Sequence, residues 1–404
     1  MHTVASWLAD RNPHTFPYES VVQEYHRVGK HFVDKELLSA LGEARDAIPR
    51  HVRETEPLAP FLGTALDKFD GRYDYLTYTA LSLLPLPGNG AGADDVTTAL
   101  HQRDRLVTLL VTDALRFERT STEAGPTFLP EMPPDEHTVA KRCRLGLRVT
   151  NVMLDRIGVG ASVTLEDPVR AAWDRCDAVL DGSSAAERIA LRLSMLPVYV
   201  VHDEYLFIRV LQSFEATFAL LVVQIGAAVR ALSSGDPLTV ALLLDAARTA
   251  LHEAAPLFSL LATMRVESFQ VFRQFTDGAS AIQSENYKAM ESLCRRPDEE
   301  RLNSLAYRSV PAIRRRILED PSPSLQDSYL MVVAEERITQ AQARAVETAM
   351  NRFADVLRQW RITHYKLAVR MLGEATAGTG ASEGTPYLRK AAEIPVFDSP
   401  GART

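Results

Sequence analysis

His364 is the only histidine after His252, and it lies in WRITHYKLAVRMLGEATAGTG, which runs from Trp360 to Gly380. At helical spacing it shares a stripe with Leu357, Trp360, Leu367 and Met371. An imidazole in that setting admits two readings. It is either a core histidine whose nitrogen meets a backbone carbonyl, or a neutral axial ligand to haem iron, aimed by its helix at a large apolar cofactor. With no C-x-x-C-H in the chain, any such haem is non-covalent. Arg273 follows Phe269 by four residues and precedes the small-residue break Thr276 to Ser280. A guanidinium there is an ion-paired surface group or a rigid fork for a carboxylate. Downstream, Gly373 is placed to stop the helix. The run AGTGASEG, with Gly378, Thr379 and Gly380, would let backbone amides and a hydroxyl approach a polar ligand. It lacks the pattern of a nucleotide loop.

These groups need rigid elements to hold them. Apolar residues recur at helical spacing almost throughout the 404 residues, and strand-length alternation is hard to find, so the fold is predicted to be all-α. Breaks are expected at Leu84–Asp95, Thr120–Glu136, Leu232–Pro237 and Glu319–Ser324. Long helical stretches are expected over 186–232 and 335–373. In the first, Phe207, Leu211, Phe214 and Phe218 share one apolar face. A net charge of −7 speaks against a nucleic-acid partner, and the charged run RRPDEERLNSLAYRSVPAIRRRILED reads as a solvated helical face. Cys143, Cys176 and Cys294 offer neither a disulfide framework nor zinc spacing, which fits a reducing, cytoplasmic setting. No signal-peptide pattern opens the sequence. FALLVVQIGAAV, between Glu215 and Arg230, is too short to span a bilayer and is expected to be a buried helix, with no membrane partner.

In chain order, four segments resemble the tryptophan 2,3-dioxygenase superfamily of haem-dependent aromatic oxygenases. RYDYLTYTALSLL is similar to the early Y-x-x-Y-L segment, HDEYLFIRVLQSFEATF to H-D-E-x-L-F-I-x-x-H-Q-x-Y-E-L-W-F, and FQVFRQFTDGASAIQS to F-R…S-G-F-Q-S. WRITHYKLAVRMLGEATAGTGASEGTPYL is similar to W-R-x-x-H…R-M-x-G…G-T-G-G-x-x-G-x-x-Y-L. The resemblance implies an all-α fold of that type around haem b. It makes His364 the proximal ligand, supported by Trp360, and Arg273 the anchor of the substrate carboxylate. Thr379 would lie beside the α-ammonium with Gly378 and Gly380 around it, and Phe207 would pack on the ring. Ser280 and Ala281 would line the pocket, and Tyr75 would belong to a segment that covers the site of a neighbouring subunit. The family habit is a homotetramer, or a homodimer among relatives.

The departures define a divergent member. Leu211 stands where the family has its distal histidine, so no imidazole there accepts an indole N–H or moves a proton. Phe269 replaces a tyrosine, Ala281-Ile282 replaces Gly-Phe, and Ala216-Thr217 replaces Leu-Trp. The chain is expected to be one haem-binding domain over 1–404, with a helical insertion at 87–200 and a C-terminal tail at 389–404. The expected activity is O2-dependent oxygenation, by one or two atoms, of the ring of tryptophan or a substituted tryptophan, in secondary metabolism. The rival is a haem hydroxylase of tyrosine or a tyrosine derivative, which would want a distal hydrogen-bonding group that the Phe207–Phe218 stripe lacks. A further alternative is a non-catalytic haem or amino-acid sensor. His202 reads as a structural helix-start residue or a group behind the site.

Overall fold

Polar side chains set the helix starts. Ser184, Ser324 and Thr339 each open a helix with a reciprocal capping box, and Asp74, Asp135, Asp167 and Asp236 accept from backbone N–H groups of the first turn. The computed structural model describes residues 2–48, 57–89, 95–125, 128–159, 167–320, 322–374 and 384–398. Every regular element among them is helical, and the pairing of Glu131 with Val201 is an isolated bridge. The fold is all-α, as the periodicity requires.

The long helices are Val96–Ala124, Glu136–Arg156, Asp203–Ser233, Pro237–Glu253 and Gln340–Leu372. The first continues past the break expected from Thr120 and ends before Gly125, whose φ is +78°. The stretch expected as one helix over 186–232 is two, Ala185–Leu193 and Asp203–Ser233. Pro197 interrupts it, and the carboxylate of Glu204 accepts the freed N–H groups of Val198 (2.7 Å) and Tyr199 (3.0 Å). The run FALLVVQIGAAV sits inside the 31-residue helix Asp203–Ser233. That helix passes a length-and-composition test for a bilayer span, but 83% of its most apolar window is buried in the protein.

The chain divides into two compact units. The first comprises Met1–Pro85, Val107–Gln212 and Leu260–Ser280; the second comprises Leu86–Leu106, Ser213–Ser259 and Ala281–Thr404. The first has one core around Trp7, Phe16, Tyr25, Phe61 and Leu62, and another around Tyr78, Phe117, Met195, Tyr205 and Ile208. In the second, the run expected to be a solvated face instead supplies core: Leu302, Ala306, Tyr307, Val310, Ile313 and Ile317 are buried on three short helices. Only part of that run's charge faces water, because Arg301 turns inward to Glu291. Residues 389–398, read as the start of a tail, are packed. The helix Thr385–Glu393 ends among them, Val396 is buried, and Asp398 pairs with Arg295 and Gln326.

Glu291 is the polar centre of the second unit. It accepts from Lys288 (3.1 Å), Arg301 (2.9 Å), Arg361 (3.1 Å) and the Tyr307 hydroxyl (3.1 Å). Burial alone would raise its pKa, but Lys288, Arg301 and Arg361 outweigh it and hold the carboxyl well below the usual range. A carboxylate depressed in the folded state stabilises above its unfolded pKa, ordinarily 4.5, and loses that contribution as pH falls through and below it. Glu291→Gln is therefore expected to cost about 3 kcal/mol at neutral pH. Urea unfolding of both proteins at pH 7 and at pH 4 or lower checks this, the gap closing on acidification.

Candidate functional site

The helix Gln340–Leu372 buries Val346, Met350, Phe353, Leu357 and Arg361 at helical intervals. Beyond Arg361 only Met371 is buried, although Leu367, Ala368, Val369 and Leu372 are apolar. This leaves a half-exposed apolar surface around His364. The His364 ring lies 5.3 Å from Trp360 and 6.2 Å from Phe258, centroid to centroid. No hydrogen bond to its nitrogens occurs among the described residues, so the carbonyl that a core histidine would need is missing. Burial pushes the imidazole pKa down to about 4. The ring is therefore neutral at physiological pH and has an unshared nitrogen lone pair.

Trp360 is gripped by rings: Phe214, Phe218, Phe258 and Tyr287 all lie within 5.8 Å. Its Nε1 is buried without a hydrogen-bond partner among the described residues. Gly373 ends the helix with φ +92°, donating its N–H to the Val369 carbonyl. Thr385 Oγ1 returns to the Gly373 carbonyl at 3.3 Å, so the chain reverses across this end. Gly378, Thr379 and Gly380 lie outside the described residues. Ala281 is exposed at the start of a short 3-10 turn in this same unit.

The first unit carries the remaining expected residues. On Asp203–Ser233, Phe207 and Leu211 are half-buried between fully buried neighbours. The Phe207 ring packs on Phe269 (5.6 Å), Phe272 (5.3 Å) and Tyr78 (6.4 Å). Phe269 and Arg273 share one side of the helix Val266–Arg273, and partial burial lowers the guanidinium pKa from its ordinary value. In the loop that follows, a Cβ on Gly278 would lie 2.6 Å from the Tyr73 carbonyl oxygen, so this close backbone approach requires glycine. Ser280 is half-buried at the end of that loop. Tyr75 is 4% exposed and turned inward, whereas its neighbours Tyr73 and Leu76 face outward. Any contact this segment makes with a second chain falls to them.

One cluster has no sequence signature. Arg142 is fully buried and donates to Glu118 (2.6 Å), Asp203 (2.5 Å) and the Thr263 hydroxyl (3.0 Å). The second oxygen of Glu118 meets His202 Nε2 at 3.0 Å, and the second oxygen of Asp203 accepts the backbone N–H of Arg265 at 3.1 Å. Burial would raise the Glu118 carboxyl, but Arg142 and His202 bring it below its ordinary pKa. His202 and Asp203 open the helix bearing Phe207 and Leu211, and Arg265 opens the one bearing Phe269 and Arg273. His202 is thus a structural helix-start residue. Only its tertiary partners identify Arg142, and they lie 24, 61 and 121 residues away.

No protein-family model matches the chain. Among curated proteins it is similar to the tryptophan 2,3-dioxygenase of Burkholderia mallei strain SAVP1, 28% identical over 273 residues that cover 57% of this chain and 87% of the relative. The tryptophan 2,3-dioxygenase of Anaeromyxobacter sp. strain K is 28% identical over 48% of this chain and 84% of its own. That of Bradyrhizobium sp. strain ORS 278 is 27% identical over 50% and 83%. The chain is thus an all-α protein similar in sequence to tryptophan 2,3-dioxygenases over about half its own length and most of theirs.

Removing the Arg142 guanidinium would leave two buried carboxylates unpaired, which ordinarily costs about 3–5 kcal/mol. Arg142→Met is expected to lower the urea midpoint accordingly. Arg119→Met, which removes a surface pair to Glu123 and Asp177, should leave the midpoint unchanged in the same assay.

Proposed function

We propose that this protein is a haem-dependent oxygenase acting on the aromatic ring of tryptophan or a substituted tryptophan. The observation that carries this reading is His364: a neutral imidazole, without a hydrogen bond among the described residues, on a half-exposed apolar helix surface. A buried-edge imidazole with a free lone pair suits an axial ligand, and the surrounding apolar surface suits a porphyrin face. Trp360 Nε1 fits the same view: a buried donor without a partner among the described residues would be able to meet a polar edge of the cofactor. The group is haem b, held non-covalently, and when bound it supplies the O2 chemistry that no side chain can perform.

The chain's own residues bind, orient and exclude water. His364 keeps one orientation because Trp360 and Phe258 wall its ring. Arg273 presents its fork to the substrate carboxylate, and Thr379, between Gly378 and Gly380, serves the ammonium. Phe207, Leu211 and Phe269 form an apolar wall against which the ring packs. With Leu211 in place of an imidazole, nothing on this wall accepts the indole N–H, and orientation falls to packing and to the two charged ends. Ser280 and Ala281 line the approach. Tyrosine is the weaker substrate, because a phenol hydroxyl would meet no partner on this wall.

The helices Val96–Ala124, Glu136–Arg156, Pro168–Asp181 and Ala185–Leu193 constitute a helical insertion, 87–200, in a single haem-binding domain. The protein works as a homodimer or homotetramer in secondary metabolism.

The test is the visible absorption spectrum of protein expressed with haem precursor, followed by turnover with O2 and a reductant. A Soret band is expected, lost in His364→Ala and shifted by tryptophan. Arg273→Gln should keep the band and weaken the tryptophan-induced shift about 10–100-fold, the worth of a charge-assisted hydrogen bond. A haem-free protein that cannot be reconstituted would overturn the reading, as would tryptophans and tyrosines left unchanged.

A further inference from the structure

The first unit holds a cleft of about 540 Å3 away from Phe207, Leu211, Phe269 and Arg273, within the size range of small-molecule sites. Its charge is lopsided. Arg116, Arg188, Arg192 and Arg209 line it together with a single carboxylate, Asp113. Arg209, fully buried at the floor, holds Asp113 at 2.7 Å, Tyr205 donates its hydroxyl to the same oxygen at 2.6 Å, and Arg116 reaches the other oxygen at 3.1 Å. Asp113 is thus shared by two guanidiniums. Arg192 pairs with Glu19, which is not part of the lining. Arg188 bonds only the carbonyl and hydroxyl oxygens of Ser183 and has no carboxylate partner among the described residues. Among the described residues the four guanidiniums thus outnumber the two carboxylates that meet them, and Arg116, Arg188 and Arg192 are all exposed at the rim.

The opposite character lies a few ångströms deeper. Phe117 stacks on Tyr205 at 4.2 Å, Phe128 stacks on His26 at 3.9 Å, and Leu180 and Leu191 complete an apolar side. His26 gives its Nε2 to the Met195 carbonyl at 2.8 Å, and burial keeps the ring neutral, with its pKa pushed down to about 4. The stacked pair therefore adds ring surface without charge.

We propose that this cleft is a second ligand site, for a small aromatic oxyanion. Its carboxylate or phosphate engages the guanidiniums of Arg116, Arg188 and Arg192, and its ring lies against Phe117, Phe128, Leu180 and Leu191. Rim guanidiniums in excess over carboxylates recognise oxyanions through paired N–H donors. An aromatic wall adds affinity for a ring that a bare ion lacks. Most of the lining comes from residues 113–195, the segment assigned above to the insertion, so the site is independent of the amino-acid-binding residues.

Calorimetric titration of the full-length protein with phenyl phosphate tests this. One site per chain is expected, weakened about tenfold by Arg188→Gln and again by Arg116→Gln, as for loss of a charged hydrogen bond. Both residues are exposed, so the folded state survives either change. Inorganic phosphate and phenol, the two halves of the probe, should each bind at least about tenfold more weakly than the whole. Benzoate in the same titration separates a carboxylate ligand from a phosphate one. Arg273→Gln should leave phenyl phosphate binding intact. The proposal is overturned if wild-type protein gives no heat at millimolar probe, if the rim variants bind as wild type does, if inorganic phosphate binds as tightly as phenyl phosphate, or if binding is lost in Arg273→Gln instead.

Discussion

Two helices of the first unit take their starting points from one guanidinium. Arg142, arriving from the helix Glu136–Arg156, is clamped between Glu118 and Asp203, and the far oxygens of those carboxylates hold His202 and the Arg265 backbone. A buried charge is tolerated only when its partners satisfy it nearly completely. The cluster therefore permits few displacements: a shift of either helix start would strip a hydrogen bond from an ion that water cannot reach. The half-buried side chains further along, Phe207 and Leu211 on one helix and Phe269 and Arg273 on the other, inherit that registration. Two of the cluster's members, Glu118 and Arg142, come from the segment assigned to the insertion.

The second unit uses the same device to set a rotation instead of a start. Arg361 sends its guanidinium to Glu291, the Tyr287 hydroxyl and the Ile394 carbonyl. Three donors fixed in three directions define the azimuth of Gln340–Leu372 at that turn. His364, three residues on, is then turned toward Phe258 and Trp360. Its ring remains without a hydrogen bond among the described residues because the surrounding side chains are aromatic, and its proton affinity is low for the same reason.

What could be read from the sequence follows the range of the forces involved. Local effects were legible: the all-α periodicity, the stripe from Leu357 to Met371, the stop at Gly373 and the role of His202 at a helix start. Long-range effects were not. Nothing near Arg142 announces its carboxylates, and the charged run from Arg295 to Asp320 reads as solvated because the acceptor that draws Arg301 inward, Glu291, lies on another element. The interruption at 194–202 was missed although Pro197 was visible, because the Glu204 carboxylate that replaces the lost helical bonds is recognisable only in three dimensions. That Tyr75 turns inward while Tyr73 and Leu76 face outward is a packing outcome that no motif announces. The stripe alone leaves His364 open to a reading as a satisfied core residue; that no carbonyl partner occurs among the described residues weighs against it.

The departures on the first unit's wall all point one way. On the proposed reading Leu211 and Phe269 each stand where a polar side chain is expected, and Phe272 and Tyr78 extend the wall by packing on Phe207. Such a wall binds an indole through area, and area discriminates weakly: one methylene more or less is worth about 1–3 kcal/mol, and an added hydroxyl is rejected only about a hundredfold. Methylation or another small substituent on the ring therefore costs little here, provided there is room. On the proposed reading, identity as an α-amino acid is decided at the charged end, where the half-buried Arg273 guanidinium offers a carboxylate paired N–H donors. The ring end is permissive and the polar end is strict, which is the opposite of a site that reads an indole N–H through a distal imidazole. On the proposed reading, an apolar Leu211 thus moves the burden of specificity from the reacting ring to the part of the substrate that does not react.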